Sequence, residues 1–241
     1  MCTVSFIPNA HGFYLGMNRD ESRLRPIALQ PEVHGTACDL TIYPSDPGGT
    51  WIGLNNSGLC LALINWHRIP RRPNHRAVSR GVVVKELIHA RSNLPGLLHE
   101  LPLQGMPPFR LIAISLRESQ VTEFQWDQDR VVAVCHCWSA RHWFSSGLDE
   151  QQAEVTRAEV CRQEWNDSDA GEIAWLRRLH RSHFPERGGF SICMHREDAS
   201  TVSYTEVVFD GAHGTMRYCP GPLCSGNREF IEKTLSLVAA A

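Results

Sequence analysis

The residue with the most chemistry to offer is Cys2, directly after Met1. An initiator methionine is commonly removed before a small second residue, and its removal leaves Cys2 with a free α-amine. One residue then carries both nucleophile and base. A thiol of pKa ~8.5 stands beside an amine of pKa ~7.7 to 8, so the amine can relay a proton while the sulfur attacks a carbonyl. No catalytic histidine is required. The bland reading of the same residue is a small buried side chain on an edge strand. The run Asn18-Arg19-Asp20-Glu21 adds a second observation. It ends a predicted hairpin with strands Thr3 to Ile7 and Phe13 to Met17 and a turn through Pro8-Asn9-Ala10-His11-Gly12. The hairpin returns this run to the start of the first strand, where Asp20 can touch the Cys2 amine and Arg19 can stabilise a thiolate. Taken alone, such a polar run is a solvated turn.

Other residue types invite chemistry with less support. Cys135-His136-Cys137 and Cys193-Met194-His195 contain zinc-type ligands, but two cysteines two apart in an apolar strand lack the loop spacing of structural zinc sites. They read as small core residues, and no metal is assigned. His195-Arg196-Glu197-Asp198 reads as a hairpin turn before a strand. Between Trp66 and Arg80 stand Arg68, Arg71, Arg72, Arg76 and Arg80 with His67 and His75, a basic loop able to receive a carboxylate, phosphate or propionate. Pro70 and Pro73 mark it equally as an ordinary solvated loop. No phosphate-binding glycine loop, dinucleotide fingerprint, nucleophile elbow or H-E-x-x-H motif is present, which removes the commonest nucleotide, α/β-hydrolase and zinc-protease readings. Arg217 to Cys224 reads as a rigid extended tail packed over the body.

These residues need a scaffold, and the pattern supplies one. Further strands are predicted at Leu40 to Tyr43, Thr50 to Asn55 and Leu59 to Asn65, the last an apolar run that must be covered on both faces. Two helices follow, one capped by Ser79 with Val83, Val84, Leu87 and Ile88 on one face, the other capped by Asn93. Residues 110–116, 121–126 and 131–136 read as an antiparallel meander. Residues 150–165 and 171–184 have helical periodicity, the latter with Asp169 and Glu172 spaced as a capping box. Strands return at Phe190 to Met194, Thr201 to Phe209 and Thr215 to Tyr218. The pattern predicts an α+β chain, a single domain over residues 1–241 with two antiparallel sheets between helices, four layers in all.

Composition bounds the partners. The 241 residues carry 24 basic and 26 acidic side chains, a net charge of -2 that gives no general attraction to nucleic acid or anionic membrane. No apolar run is long enough to span a bilayer and no signal segment opens the chain, so a cytoplasmic protein is expected. Nine cysteines without framework spacing point to free thiols in a reducing compartment.

Met1-Cys2, Phe6, Asn18-Arg19-Asp20-Glu21, the Pro26 and Pro31 region, Gly48 to Asn55, Gly58 and Leu63-Ile64-Asn65 together resemble the NRDE family, the transport and Golgi organisation 2 homologues. The resemblance implies an α-β-β-α fold like that of the N-terminal nucleophile hydrolases. Within that group the opening is similar to the bile-salt hydrolase and penicillin V acylase branch. Carried over by position, Cys2 is the nucleophile, Asp20 orients its amine and Asn65 is an oxyanion donor. The acylases place an arginine where this chain has Met17, leaving Arg19 next door as the substitute. They also imply an asparagine where this chain has Ser146. Asn18, Trp51, Trp66, Arg68, Ser146 and His195 complete the candidate substrate-binding set. Two functions follow. One is hydrolysis of a non-peptide amide or acyl bond without a cofactor. The other is a non-catalytic binding protein, which the resemblance connects to haem trafficking or acyl-lipid homeostasis. In that case the arginine loop meets the ligand's acidic groups and Trp51 and Trp66 contact its body.

Overall fold

The computed structural model describes residues 2–36, 38–73, 78–226 and 229–238. The first strand, β1 (Cys2–Asn9), turns back into β2 (Gly12–Ser22) in full register, from Cys2 opposite Arg19 to Asn9 opposite Gly12. The other side of β1 is covered by β10 (Arg141–Ser145), with Cys2 opposite Ser145. Together with β11 (Ala199–Phe209), β12 (His213–Pro220) and β13 (Ile231–Ser236) these strands make a six-stranded sheet in the order β10-β1-β2-β11-β12-β13. The second sheet is a seven-stranded run in chain order. It comprises β3 (Glu32–Thr36), β4 (Asp39–Tyr43), β5 (Ile52–Asn55), β6 (Leu59–Asn65), β7 (Phe109–Ser115), β8 (Gln120–Trp126) and β9 (Val131–His136). All its pairs are antiparallel, joined by turns and loops except β6 to β7, whose connection carries two helices.

The chain forms two compact units. The first comprises residues 1–26, 139–208 and 217–232, the second residues 27–138, 209–216 and 233–241. In the first, α3 (Glu150–Glu164) packs on β10 and α4 (Ile173–Arg181) on β2. Ile7, Phe144, Val160, Trp175, Leu176 and Ile192 form their shared core. Gly16 lets α4 approach, because a methyl group there would stand 3.0 Å from His180 Nε2. In the second unit, α1 (Gly81–Leu87) packs on β5 and β6, and α2 (Leu94–Glu100) packs on α1. Leu61, Leu63, Val84, Leu87, Leu111 and Phe124 belong to that core. Among the described residues no helix is long and apolar enough to cross a membrane.

Local signals explain most of these elements. Asn93 accepts from the Gly96 N–H and caps α2 from a left-handed conformation that asparagine tolerates. Gly49, at φ 153°, lies so close to α1 that a methyl group would stand 2.2 Å from the Gly81 carbonyl carbon. The motif from Gly48 to Asn55 is therefore architectural: Thr50 N–H bonds Gly81 O, and the buried Asn55 amide donates to Ile88 O and Ala90 O.

Several expectations need correction. Phe190 to Met194 is a series of bends rather than a strand, because its backbone is drawn off locally: Cys193 N–H bonds Ser182 O and Met194 N–H bonds Thr201 Oγ1. Asp169 does not cap α4. It accepts from both terminal nitrogens of Arg178, each at 2.6 Å, and Glu172 stands at the cap without a side-chain bond. Cys135 and Cys137 are exposed, since β9 is the edge of its sheet and is only partly covered. Strands β3, β10 and β13 escaped the pattern reading because polar side chains interrupt their alternation.

Candidate functional site

The register of the first hairpin decides which side chains meet. Residues directly opposite in an antiparallel pair share a face, and neighbours along a strand alternate. Cys2 therefore shares its face with Arg19, while Asp20, Asn18 and Thr3 project from the other, where α3 and α4 lie. Cys2 is buried, at 7% exposure. Burial pushes its thiol pKa up and the nearby Asp20 carboxylate adds to the rise, while a hydrogen bond from the Asp20 backbone N–H to the sulfur and the charge of Arg19 oppose it. Arg19 is itself buried and pairs with Glu21 at 3.3 Å.

Behind Cys2 stands a group that pattern reading passed over. Arg157 on α3 has a fully buried side chain, held by main-chain and side-chain oxygens. Its Nη1 donates to Thr3 Oγ1 at 3.0 Å and to the Cys2 carbonyl at 3.5 Å, and its other nitrogens donate to Phe190 O and Gly189 O. Its Nη2 lies 3.6 Å from Asp20 Oδ2. Thr201 on β11 donates to Asp20 Oδ1 at 2.6 Å and accepts from Met194 N–H with the same hydroxyl oxygen. Burial raises the Asp20 pKa, and Arg157 and Thr201 pull it back. A signal for Arg157 existed in the sequence. It lies in the buried stripe Ala153, Arg157, Val160, Cys161, the apolar face of the helix, where an arginine must find internal partners.

Other candidate residues fall as follows. Asn18 spends both amide hydrogens on His180 O and Ile192 O, each at 2.9 Å, tying β2 to the end of α4. Ser146 is buried just past β10 and accepts from Leu148 N–H. His195 lies 3.5 Å from Cys193 Sγ and 3.3 Å from Cys224 Sγ. In the second unit, Trp51 is buried at the entry to β5 and its carbonyl accepts from Leu63 N–H. Asn65 ends β6 opposite Phe109, and Trp66 follows with its N–H on Pro108 O. Arg68 is exposed on the loop beyond. Farther along that loop Arg72 is held by Asp129 at 2.8 and 2.5 Å, and Arg80 donates to Pro108 O. His75 and Arg76 lie outside the described residues. A separate cleft of about 320 Å³, lined by Asn93, Phe124 and Cys135 among others, contains none of these candidates.

Two antiparallel sheets with helices packed on them make an α+β fold that solved structures share. The likeness extends to whole chains. A mutant of conjugated bile acid hydrolase from Clostridium perfringens superposes with a TM-score of 0.55 at 8% identity, covering 100% of this chain and 99% of that one. Penicillin V acylase from Agrobacterium tumefaciens superposes with a TM-score of 0.54 at 8% identity, covering 96% of this chain and 85% of that one. No curated protein matches the sequence. The family model for Transport and Golgi organisation 2 matches residues 1–179, and the chain belongs to that family.

Proposed function

We propose that the protein is an N-terminal cysteine hydrolase acting on a non-peptide amide or acyl bond. The observation that carries this reading is the grouping at Cys2. Its sulfur accepts from the Asp20 backbone N–H and lies on the same face as Arg19, while the Asp20 carboxylate is fixed by Thr201 and Arg157. Once Met1 is removed, the thiol proton passes to the residue's own amine as sulfur adds to the substrate carbonyl carbon. The leaving amine takes that proton and departs, and water cleaves the resulting thioester to an acid and the free thiol. Because burial opposes a standing thiolate, proton transfer accompanies attack. Arg19 offsets the charge that develops on sulfur. The names of the similar structures, a hydrolase and an acylase, support acyl transfer as the reaction class.

The haem- or acyl-lipid-binding alternative draws on the arginine loop, in which Arg72 pairs with Asp129 and Arg80 donates to the Pro108 carbonyl. Intact-mass measurement together with an electrophilic acyl probe tests the hydrolase. The expected result is a chain lacking Met1 that is labelled at Cys2. Retained Met1, or equal labelling of Cys2→Ala, overturns it.

A further inference from the structure

We propose that His183, Cys193, His195 and Cys224 form a binding site for a soft divalent metal ion, with zinc the best match. Each residue offers one ligand atom, and the four atoms lie within 4.8 Å of one another. Three separate pieces of chain deliver them. His183 follows the end of α4, Cys193 and His195 flank Met194 in the bends beyond it, and Cys224 stands in a single 3-10 turn, Leu223–Ser225. The Cys193 N–H bond to Ser182 O fixes the first two pieces to each other.

The two sulfur-to-nitrogen edges at His195 have the spacing of a tetrahedral site. With metal–sulfur bonds of ~2.3 Å and metal–nitrogen bonds of ~2.0 Å, a sulfur-to-nitrogen edge measures about 3.6 Å. His195 Nε2 lies 3.5 Å from Cys193 Sγ and 3.3 Å from Cys224 Sγ. The imidazoles of His183 and His195 meet at 4.9 Å between centroids and 67° between planes, so they approach from different directions. An independent sign comes from His183 Nε2, a buried nitrogen with no hydrogen-bond partner. A buried polar atom left unsatisfied costs stability, and a cation satisfies it.

The donor set suits the ion. Two thiolates and two neutral imidazoles are the ligands of closed, structural zinc sites. Loading exchanges charge in balance: two thiols bind one divalent cation and release two protons. Arg187 Nη2 lies 3.4 Å from His195 Nδ1, the nitrogen that carries hydrogen once Nε2 ligates. Arginine only donates, so this exposed side chain turns to solvent on loading. The ion would fasten the turn that bears Cys224 to the end of α4. It would also stiffen the Cys193-Met194-His195 segment, whose middle N–H rests on Thr201.

The test uses full-length protein purified under reduction without chelator. Elemental analysis is expected to find one zinc per chain, and cobalt substitution to give tetrahedral bands with sulfur-to-cobalt charge transfer. Cys224→Ser and His183→Ala each weaken zinc binding, measured by competition with a chromogenic chelator, by at least about tenfold, since even outer-shell partners cost that much. His183→Cys keeps a ligand, so it retains the ion with a stronger sulfur-to-cobalt band. Cys2→Ala retains it unchanged, which separates this site from the proposed hydrolase. Reduced protein without stoichiometric metal affinity, or undiminished binding by a Cys193→Ser/Cys224→Ser double variant, overturns the assignment.

Discussion

The Arg157 guanidinium lies 3.6 Å from the Asp20 carboxylate, and both side chains are closed off from solvent. Each charge is tolerable inside because the other is there, so removing one leaves the other buried and uncompensated. Arg157→Met is expected to lower unfolding free energy by about 3 to 5 kcal/mol. Burial already raises the Asp20 pKa, and loss of Arg157 raises it further. A carboxyl whose folded pKa lies above its unfolded value favours the fold at low pH and loses that contribution as pH rises through this window. Relative to wild type, the deficit of Arg157→Met should therefore grow from pH 4 to pH 8, as read by denaturant unfolding. A deficit independent of pH excludes the electrostatic account.

Thr201 joins Asp20 to the segment around Met194 through one hydroxyl that both donates and accepts. Thr201→Val keeps the shape and removes both bonds, and should cost about 1 to 3 kcal/mol, the penalty for buried groups left unsatisfied. Thr201→Ser should recover most of that loss in thermal unfolding. Equal Tm values for the valine variant and wild type contradict the assignment.

A half-buried and a buried histidine share one hydroxyl: His142 Nδ1 lies 2.8 Å and His180 Nε2 2.9 Å from Ser5 Oγ. Burial holds their pKa values down, to about 4 for His142 and about 3 for His180. A base depressed in the folded state stays neutral there and charges on unfolding. Its contribution is complete above the unfolded pKa of ~6.5 and is lost as pH falls below it. Unfolding free energy should drop between pH 6.5 and pH 4, with a slope of up to about 1.4 kcal/mol per pH unit for each histidine. Replacing both with glutamine should flatten that slope, whatever it does to stability at neutral pH.

Alkylation reports on the first thiol. Since burial raises the Cys2 pKa, its reaction with iodoacetamide should keep accelerating with pH beyond the usual range of a free thiol. Arg19→Gln removes a positive charge that favours thiolate, so Cys2 labelling should slow at a given pH while Cys135 labelling does not. Peptide mass spectrometry of the quenched reactions separates the sites.

How far the sequence carried these conclusions depends on range. The first hairpin was legible because turn residues and alternation are local, and β6 because an unbroken apolar run demands cover on both faces. Asn93 marked a helix start for the same reason, its side chain acting within three residues, whereas α1 begins after Arg80, one residue beyond the expected Ser79 cap, without a side-chain cap bond. Arg157 was not legible as a partner of Asp20. Its position on an apolar helix face was visible, but 137 residues separate it from the carboxylate it meets (157 − 20). The cluster at His195 shows the same limit. Cys193 and His195 are too close together to resemble a structural site, and the ligand atoms that complete the group come from His183 and Cys224, which only folding brings near.

Pairing of β1 with β10 has a temporal consequence. Ser145, the partner of Cys2, emerges from the ribosome only after more than half of the 241 residues have been translated, and Arg157 and Thr201 come later still. At about 5 to 20 residues per second, the amino end spends roughly seven to thirty seconds as nascent chain before its second neighbour exists. Under the proposed hydrolase reading, removal of Met1 falls within that interval, before folding encloses the sulfur.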